Sequence, residues 1–344
     1  MKRISLFCAL FILFSCAMTA QADDSAFGGS GAALIPIKQS GVKMVNEHVV
    51  LNGVGIDEDG FKGSWHVTCD FTFENTQNKL LKFRMGFPFP VKEELGEVTV
   101  PAGHKAKRGD PLVYSFAAWA DGKPIAAKHY NITSVPEKGL YYDNAYIWNM
   151  TFAPRQIIKI HHKYVTGVSP NAVGHTYASY VLKTGGLWEG GKIGYARLEV
   201  IPNVPTRMCS ELKTPETQYL QPTLPGVKII GFGADRRYIW DLKDFHPTQD
   251  LDFCLQTGKD YVRHRVVYPV LHNEINLRRL GAAKLTILKN AIFAQYGRIF
   301  HNPKLQAYFA KQWWYVRNPN YNDGMLSSDD KQAIAIILKA TKGR

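Results

Sequence analysis

The chain has few cysteines and no paired cysteine motif. Its 344 residues include five Cys, and no C-x-x-C occurs among them. A zinc ribbon and a thioredoxin-type redox centre are therefore not indicated. Beyond the first 22 residues the cysteines are Cys69, Cys209 and Cys254. Cys209 and Cys254 are a possible disulfide in an oxidising compartment, and three buried thiols are the alternative.

The chain also lacks the usual catalytic motifs. G-x-S-x-G, H-E-x-x-H and the phosphate-binding G-x-x-x-x-G-K-[ST] are all missing. His161 and His162 are adjacent on a predicted strand, so they point to opposite faces and do not hold one ion together; His162 shares the parity of the apolar stripe. Asp57-Glu58-Asp59-Gly60 is only half of a calcium loop and predicts a turn. We expect a non-enzymatic protein with no catalytic residue, metal or cofactor.

The only apolar run near membrane length stands at the N-terminus and is too short to span a bilayer. Lys2 and Arg3 precede the apolar residues 4–15, and Ala20-Gln21-Ala22 resembles a signal peptidase site. The pattern predicts a signal peptide at residues 1–22 and a flexible lead-in at 23–33. We expect an exported protein, periplasmic or extracellular. A lipoprotein anchored at Cys16 is the alternative.

Residues 34–272 show the period of β-strands. Apolar and polar residues alternate in many short runs, and most prolines fall between the runs. The runs at 65–73 and 81–87 predict an antiparallel hairpin, and Asp121-Gly122 is typical of a type I′ turn. The pattern as a whole predicts an antiparallel β-sandwich.

The period becomes helical after Pro269. The residues around Leu285–Tyr296 predict a first helix ended by Gly297, Pro303 begins a second, and Ser327 with Asp330 resembles the capping box of a third. The fold class expected is therefore multi-domain α and β: an N-terminal antiparallel β-sandwich followed by a small C-terminal three-helix domain at residues 276–344.

This C-terminal segment is strongly basic. It contains twelve Lys and Arg against three acidic residues, a net charge of +9, whereas the formal net charge of the whole chain is +13. Such an excess goes beyond what solubility requires and indicates an anionic partner, although a solvated charged face is the plain alternative. The candidate anion-binding residues are Arg278, Arg279, Lys284, Lys289, Arg298, Lys304, Lys311 and Arg317.

Residues 285–300 (LTILKNAIFAQYGRIF) resemble the signature of the YARHG domain, a small bacterial extracytoplasmic module. The likeness continues through 305–309 (LQAYF), Trp314-Tyr315 and 318–321 (NPNY). In the motif that names the domain, the family's Arg is Gln295 here and its His is Tyr296. The N-terminal part is similar to an uncharacterised family of exported bacterial β-domains, on motifs such as 85–88 (MGFP), 120–124 (ADGKP) and 184–188 (TGGLW). That resemblance implies a sandwich in the cell envelope and no known reaction.

Three functions are compatible with these features. The first is an envelope protein that binds peptidoglycan, anionic lipid or a phosphate polymer through its basic helices, with no nucleic acid as natural partner. The second is an envelope glycan hydrolase or transferase with a carboxylate pair near Trp188, an indole framed by glycines that is a possible sugar-stacking residue. The third is a sandwich that binds another envelope protein by edge pairing.

Overall fold

The computed structural model describes residues 24–28, 35–57, 59–90, 98–105, 112–171, 174–212 and 220–342. The predicted signal peptide and Cys16 lie outside these residues. Within them, no helix combines the length and apolar character that crossing a membrane requires.

The largest sheet has eight strands. Its members are β3 (Val42–Val54), β4 (Ser64–Asn75), β6 (Val113–Ala120), β7 (Lys123–Pro124), β10 (Ile157–Gly167), β13 (Ile193–Ile201), β15 (Lys228–Ile230) and β16 (Arg237–Phe245). Their spatial order is β15-β16-β13-β3-β4-β10-β6-β7. Every pair is antiparallel except β13 with β3, which run parallel. The long strands β3, β4 and β10 form the middle of this sheet.

Two smaller sheets complete the sandwich domain. The five-stranded sheet, in the order β2-β1-β5-β9-β8, contains β1 (Ser25–Gly28), β2 (Ile35–Ile37), β5 (Leu81–Pro90), β8 (Lys128–Asn131) and β9 (Tyr142–Phe152). The four-stranded sheet, in the order β11-β12-β17-β14, contains β11 (Ser169–Pro170), β12 (Thr176–Tyr180), β14 (Thr206–Met208) and β17 (Leu251–Thr257). One apolar cluster contains residues from all three sheets, and Trp65, Trp188 and Trp240 are fully buried in it.

The predicted hairpin between residues 65–73 and 81–87 is wrong. Both runs are strands, but β4 lies in the eight-stranded sheet and β5 in the five-stranded sheet. The chain changes sheet at Asn75, a fully buried residue whose amide donates to the carbonyl oxygens of Lys79 and Ala153. Alternation identifies the inward face of each strand but not its neighbour, and here both inward faces meet across the core. The turn at Asp121-Gly122 is confirmed, since both residues have positive φ (46° and 76°) and β6 pairs with β7.

The predicted flexible lead-in is also wrong for the part that the structure describes. Ser25–Gly28 forms β1, which pairs with β5 on one side and β2 on the other. Ala26 and Phe27 are almost fully buried, at 2% and 3% exposure. The small residues that suggested flexibility instead let this strand pack closely, because a Cβ on Gly28 would come within 2.9 Å of Ile37.

The helical unit begins earlier than the predicted boundary at residue 272. Its helices are α1 (Gly258–Val262), α2 (Tyr268–Leu271), α3 (Ala282–Ala294), α4 (Pro303–Phe309) and α5 (Ser328–Lys342), with a π-helical turn at Arg263–Val267 between α1 and α2. Val262, Val267 and Val270 pack in the same core as Leu285, Ile292 and Ile337. Residues 258–271 therefore belong to the helical core. Their apolar residues form a run too short to be distinguished by sequence from the strands before it.

The helix ends follow the predicted signals. Pro303 opens α4, with the Asn302 side chain accepting from the amides of Lys304 and Leu305. Ser327 and Asp330 form the reciprocal cap of α5: the Ser327 amide donates to the Asp330 carboxylate, and the Asp330 amide donates to Ser327 Oγ. Gly297 has φ +82° just beyond α3.

Candidate functional site

The eight candidate cations lie on several elements of the helical unit. Arg278, Arg279, Lys284, Lys304, Lys311 and Arg317 are exposed, and Lys289 and Arg298 are half-buried. Among the seven candidates other than Arg278, the one ion pair within the described residues joins Arg298 to Asp323, at 3.9 Å between nitrogen and oxygen. The charges of Arg279, Lys284, Lys289, Lys304, Lys311 and Arg317 are thus not neutralised by ion pairs within the described residues.

These cations do not form a stripe on one helix. α3 is the central helix, packing against both α4 and α5, and its Leu285, Ala291 and Ile292 are buried. Lys284 lies in its exposed first turn. Arg278 and Arg279 precede it in a 3₁₀ turn that packs against α5, whereas Lys304 and Lys311 lie in and just after α4. The cationic surface is therefore the outer shell of the unit rather than a groove.

Arg298 has a structural role in addition to its charge. Its guanidinium lies 4.7 Å from the ring centre of Phe293 and 5.8 Å from that of Tyr321. Such stacking between rings fixes the side chain in place. Arg298 is therefore the least available of the eight cations for a ligand.

The two substituted positions of the naming motif share one partner. Gln295 Nε2 donates to Asp330 Oδ1 at 2.9 Å, and the Tyr296 hydroxyl donates to Asp330 Oδ2 at 2.6 Å. Burial and the nearby Asp330 raise the pKa of Tyr296, so it remains a donor. In this chain the motif holds the first turn of α5 against the end of α3.

Ion pairs join the helical unit to the sandwich. Asp59, in the turn between β3 and β4, accepts from Lys259 Nζ at 2.8 Å and pairs with Arg263 at 2.9 Å. Lys259 Nζ also lies 4.7 Å from the ring centre of Tyr296. Asp57 accepts from the amides of Phe61 and Lys62, which agrees with the predicted turn. Asp57 thus supports the turn, and Asp59 orients the helical unit against the sandwich.

Three ionisable side chains, Asp24, Glu47 and His162, lie inside the sandwich with no exposed surface. Burial raises the pKa of Glu47 to about 8, and the Tyr180 hydroxyl partly offsets this rise. Burial and then the Glu47 carboxylate raise the pKa of Asp24 well above its usual value. Burial lowers the pKa of His162 to about 3, and its Nε2 lies 3.6 Å from Asp24 Oδ1. At neutral pH the interior therefore holds a protonated Glu47 and a neutral imidazole at His162.

Aromatic rings enclose this polar cluster. The ring centres of Phe71, Phe87, Phe116 and Trp148 lie 5.0 to 5.4 Å from that of His162. The inward position of His162 confirms the parity argument from the sequence. The sequence analysis did not identify Glu47 as a buried acid. Its alternation with the buried Val49 and Leu51 could have indicated this position, whereas nothing in the local pattern indicates the burial of Asp24.

Trp188 is not a sugar platform. The indole is fully buried between Phe73 and Phe83, and its Nε1 donates to the Asp24 carbonyl oxygen at 3.0 Å. A stacking residue needs one open ring face, and Trp188 has none. The surrounding glycines shape short 3₁₀ turns over it. Trp313 and Trp314 are likewise mostly buried, at 6% and 7% exposure.

Cys209 and Cys254 form a disulfide in the structure, with their Cα atoms 5.5 Å apart. Cys69 is buried in the sandwich core and is not part of it. His175 lies beside the disulfide, and Asp260 and His264 lie close to His175. Asp260 Oδ1 pairs with His264 Nδ1 at 2.9 Å and raises the pKa of that histidine, whereas burial lowers the pKa of His175.

Fold and surface define a β-sandwich protein with a basic helical module at its C-terminal end. The sequence profile of the YARHG domain matches residues 272–342, which confirms the resemblance noted from the sequence. YARHG domains are typical of exported proteins.

A solved structure extends the relationship to nearly the whole chain. It is the crystal structure of a "putative nutrient binding protein" from Legionella pneumophila, with 46% sequence identity and a TM-score of 0.81. The alignment covers 92% of this chain and all of that one. The protein therefore belongs to the same family as the Legionella protein.

Some solved structures match the chain only remotely. An M1 zinc metallopeptidase from Deinococcus radiodurans has 10% identity and a TM-score of 0.29, covering 64% of this chain and 43% of the peptidase. A likeness of this size says nothing about function. No curated protein matches the chain.

Proposed function

We propose that this protein is an exported, non-enzymatic binding protein that attaches to an anionic component of the bacterial envelope through the outer surface of its helical unit. The observation that carries the proposal is the number of exposed Lys and Arg side chains among residues 276–342. Peptidoglycan carboxylates, anionic lipid headgroups and phosphate polymers are the partners whose charge suits such a surface.

Electrostatics favour a polyanion over a small anion. The cations are spread over the 3₁₀ turn before α3, the first turn of α3, α4 and the segment after it, rather than on one element. Separate, solvated charges bind weakly one by one, but many of them act together on a surface that carries repeated negative charges. A polymer or a lipid surface meets this condition.

The relative supports a binding role in general terms. The Legionella protein is described as nutrient binding, and the two chains share both units of the fold. We propose that ligand binding is common to the family and that the basic helical unit supplies attachment in this member.

The test compares two sets of charge removal. Arg279, Lys284, Lys304 and Lys311 are changed together to Gln; the matched control changes Lys79, Lys82, Lys123 and Lys128, which are exposed on the sandwich, to Gln as well. Sedimentation with purified peptidoglycan and with vesicles containing anionic lipid measures binding. We expect the first set to lose at least tenfold in affinity, the control to lose little, and binding of the unchanged protein to fall as salt rises. Equal losses in the two sets, or binding that ignores salt, would contradict the proposal.

The geometry gives less support to the two alternative functions, a glycan hydrolase and a sandwich that binds proteins by edge pairing. A glycan hydrolase needs a carboxylate pair that a polysaccharide can reach, and Asp24, Glu47 and Trp188 have no exposed surface. A sandwich that recruits proteins by edge pairing needs a long free edge. The outermost strands of the two larger sheets, in the part of the chain described here, are two to four residues long (β2, β7, β8 and β15).

A further inference from the structure

The side chains of His175, Cys209 and Cys254 meet at one point of the four-stranded sheet. Their potential ligand atoms, one imidazole nitrogen and two sulfurs, all lie within 4.8 Å of one another. All three residues are nearly or fully buried, with exposures of 5% for His175, 0% for Cys209 and 5% for Cys254. We propose that, once the disulfide is reduced, these residues bind a Zn²⁺ ion.

Three neighbouring strands of the sheet bring the three residues together. β17 is flanked by β12 and β14, and Cys254 lies within β17. His175 stands immediately before β12, and Cys209 immediately after β14. The backbone of His175 is fixed by Asn171, whose side-chain oxygen accepts from the His175 amide at 3.0 Å. The ligands therefore do not depend on a flexible loop to meet.

The imidazole carries the independent indication of a ligand. His175 Nδ1 is buried and makes no hydrogen bond to any described residue. A buried polar nitrogen without a partner costs free energy, and a metal ion beside two thiolates would satisfy it. Two cysteines and one histidine are a common donor set for zinc, with the fourth position left for water or another ligand.

Metal binding follows reduction of the disulfide. A dithiol reductant transfers two electrons and two protons to the Cys209–Cys254 bond and itself becomes a disulfide. The two new thiols then release their protons as the sulfurs bind the metal. In a tetrahedral site the two sulfurs stand about 3.8 Å apart, given zinc–sulfur bonds of about 2.3 Å. The disulfide and the metal site are therefore mutually exclusive, and the proposal does not depend on the cationic surface.

The experiment uses Co²⁺ as a spectroscopic substitute for Zn²⁺. The whole protein is reduced with a water-soluble phosphine, which takes up oxygen from water, and thiol titration must show a gain of two thiols. Reduced protein should then bind one Co²⁺ with an intense sulfur-to-cobalt absorption band that one equivalent of Zn²⁺ removes. Oxidised protein should show no band.

Four variants separate the metal site from general effects. Cys254→Ser should abolish the band, and His175→Ala should weaken Co²⁺ binding at least tenfold. His175→Cys should restore tight binding with a stronger band, which also shows that the altered chain folds. Cys69→Ser, the control, should bind like the unchanged protein. The absence of a band in reduced protein, or equal binding by His175→Ala and the unchanged protein, would overturn the proposal.

Discussion

The sandwich and the helical unit each bury a carboxylate, and they treat it in opposite ways. In the helical unit, Asp330 is 3% exposed and accepts four hydrogen bonds, from the Ser327 amide, Ser327 Oγ, Gln295 and Tyr296. In the sandwich, Glu47 is fully buried, no cation among the described residues forms an ion pair with it, and its pKa rises to about 8.

The comparison shows that burial alone does not define the role of an acid. Asp330 is surrounded by donors that would themselves be left unpaired without it, so it stabilises the helical unit. Glu47 keeps a proton that it would lose in water, so it makes the sandwich less stable near neutral pH. We therefore expect opposite effects when the two acids are neutralised.

The largest effect should follow Asp330→Ala. The change leaves the buried Gln295 amide and the half-buried Tyr296 hydroxyl without their acceptor and removes the cap of α5. We expect the free energy of unfolding to fall by about 3 kcal/mol. Chemical denaturation followed by circular dichroism measures it. Asp329→Ala, which alters the exposed neighbouring acid, should cost less than about 1 kcal/mol; similar losses in the two variants would contradict the role given to Asp330.

The contrast between these two acids also shows what the sequence could reveal. The cap formed by Ser327 and Asp330 was predictable, because capping is local and has a fixed spacing. The inward side of each strand was predictable from parity, as His162 shows. The change of sheet at Asn75 and the burial of Asp24 depend on contacts between distant segments, and no local pattern records such contacts. Residues 258–271 were missed because a short apolar run fits a strand or a helix equally well.

The next effect in size should come from Glu47→Gln, and its sign is opposite. Below pH 4.5 the folded and unfolded chains both hold the proton. Between pH 4.5 and about 8 mainly the folded chain keeps it, so the free energy of unfolding falls as the pH rises through this range. Above about pH 8 this contribution is constant. Gln keeps the shape without the proton release, so we expect the variant to be about 2 kcal/mol more stable than the unchanged protein at pH 8.

Denaturation of both proteins at several pH values from 4 to 9 measures this difference. The curves should meet near pH 4.5 and diverge above it. Glu137→Gln, at an exposed position, is the matched control and should leave the pH dependence unchanged. A Glu47→Gln variant that parallels the unchanged protein at every pH would show that Glu47 ionises normally in the fold.

The smallest effect should come from the junction between the two regions. Asp59→Asn keeps the shape of the side chain but removes the charge that Lys259 and Arg263 share. Because Asp59 is 25% exposed, solvent screens these pairs, and we expect a loss of about 1 kcal/mol. The loss should shrink at high salt. Hydrogen exchange should become faster in α1 than in α5, because α1 carries Lys259 and leads directly into Arg263. Asp235→Asn, an exposed acid without an ion pair in the described structure, should change neither property. If exchange instead rises equally throughout the helical unit, Asp59 supports the whole fold rather than the junction, and the two regions are less separable than their cores indicate.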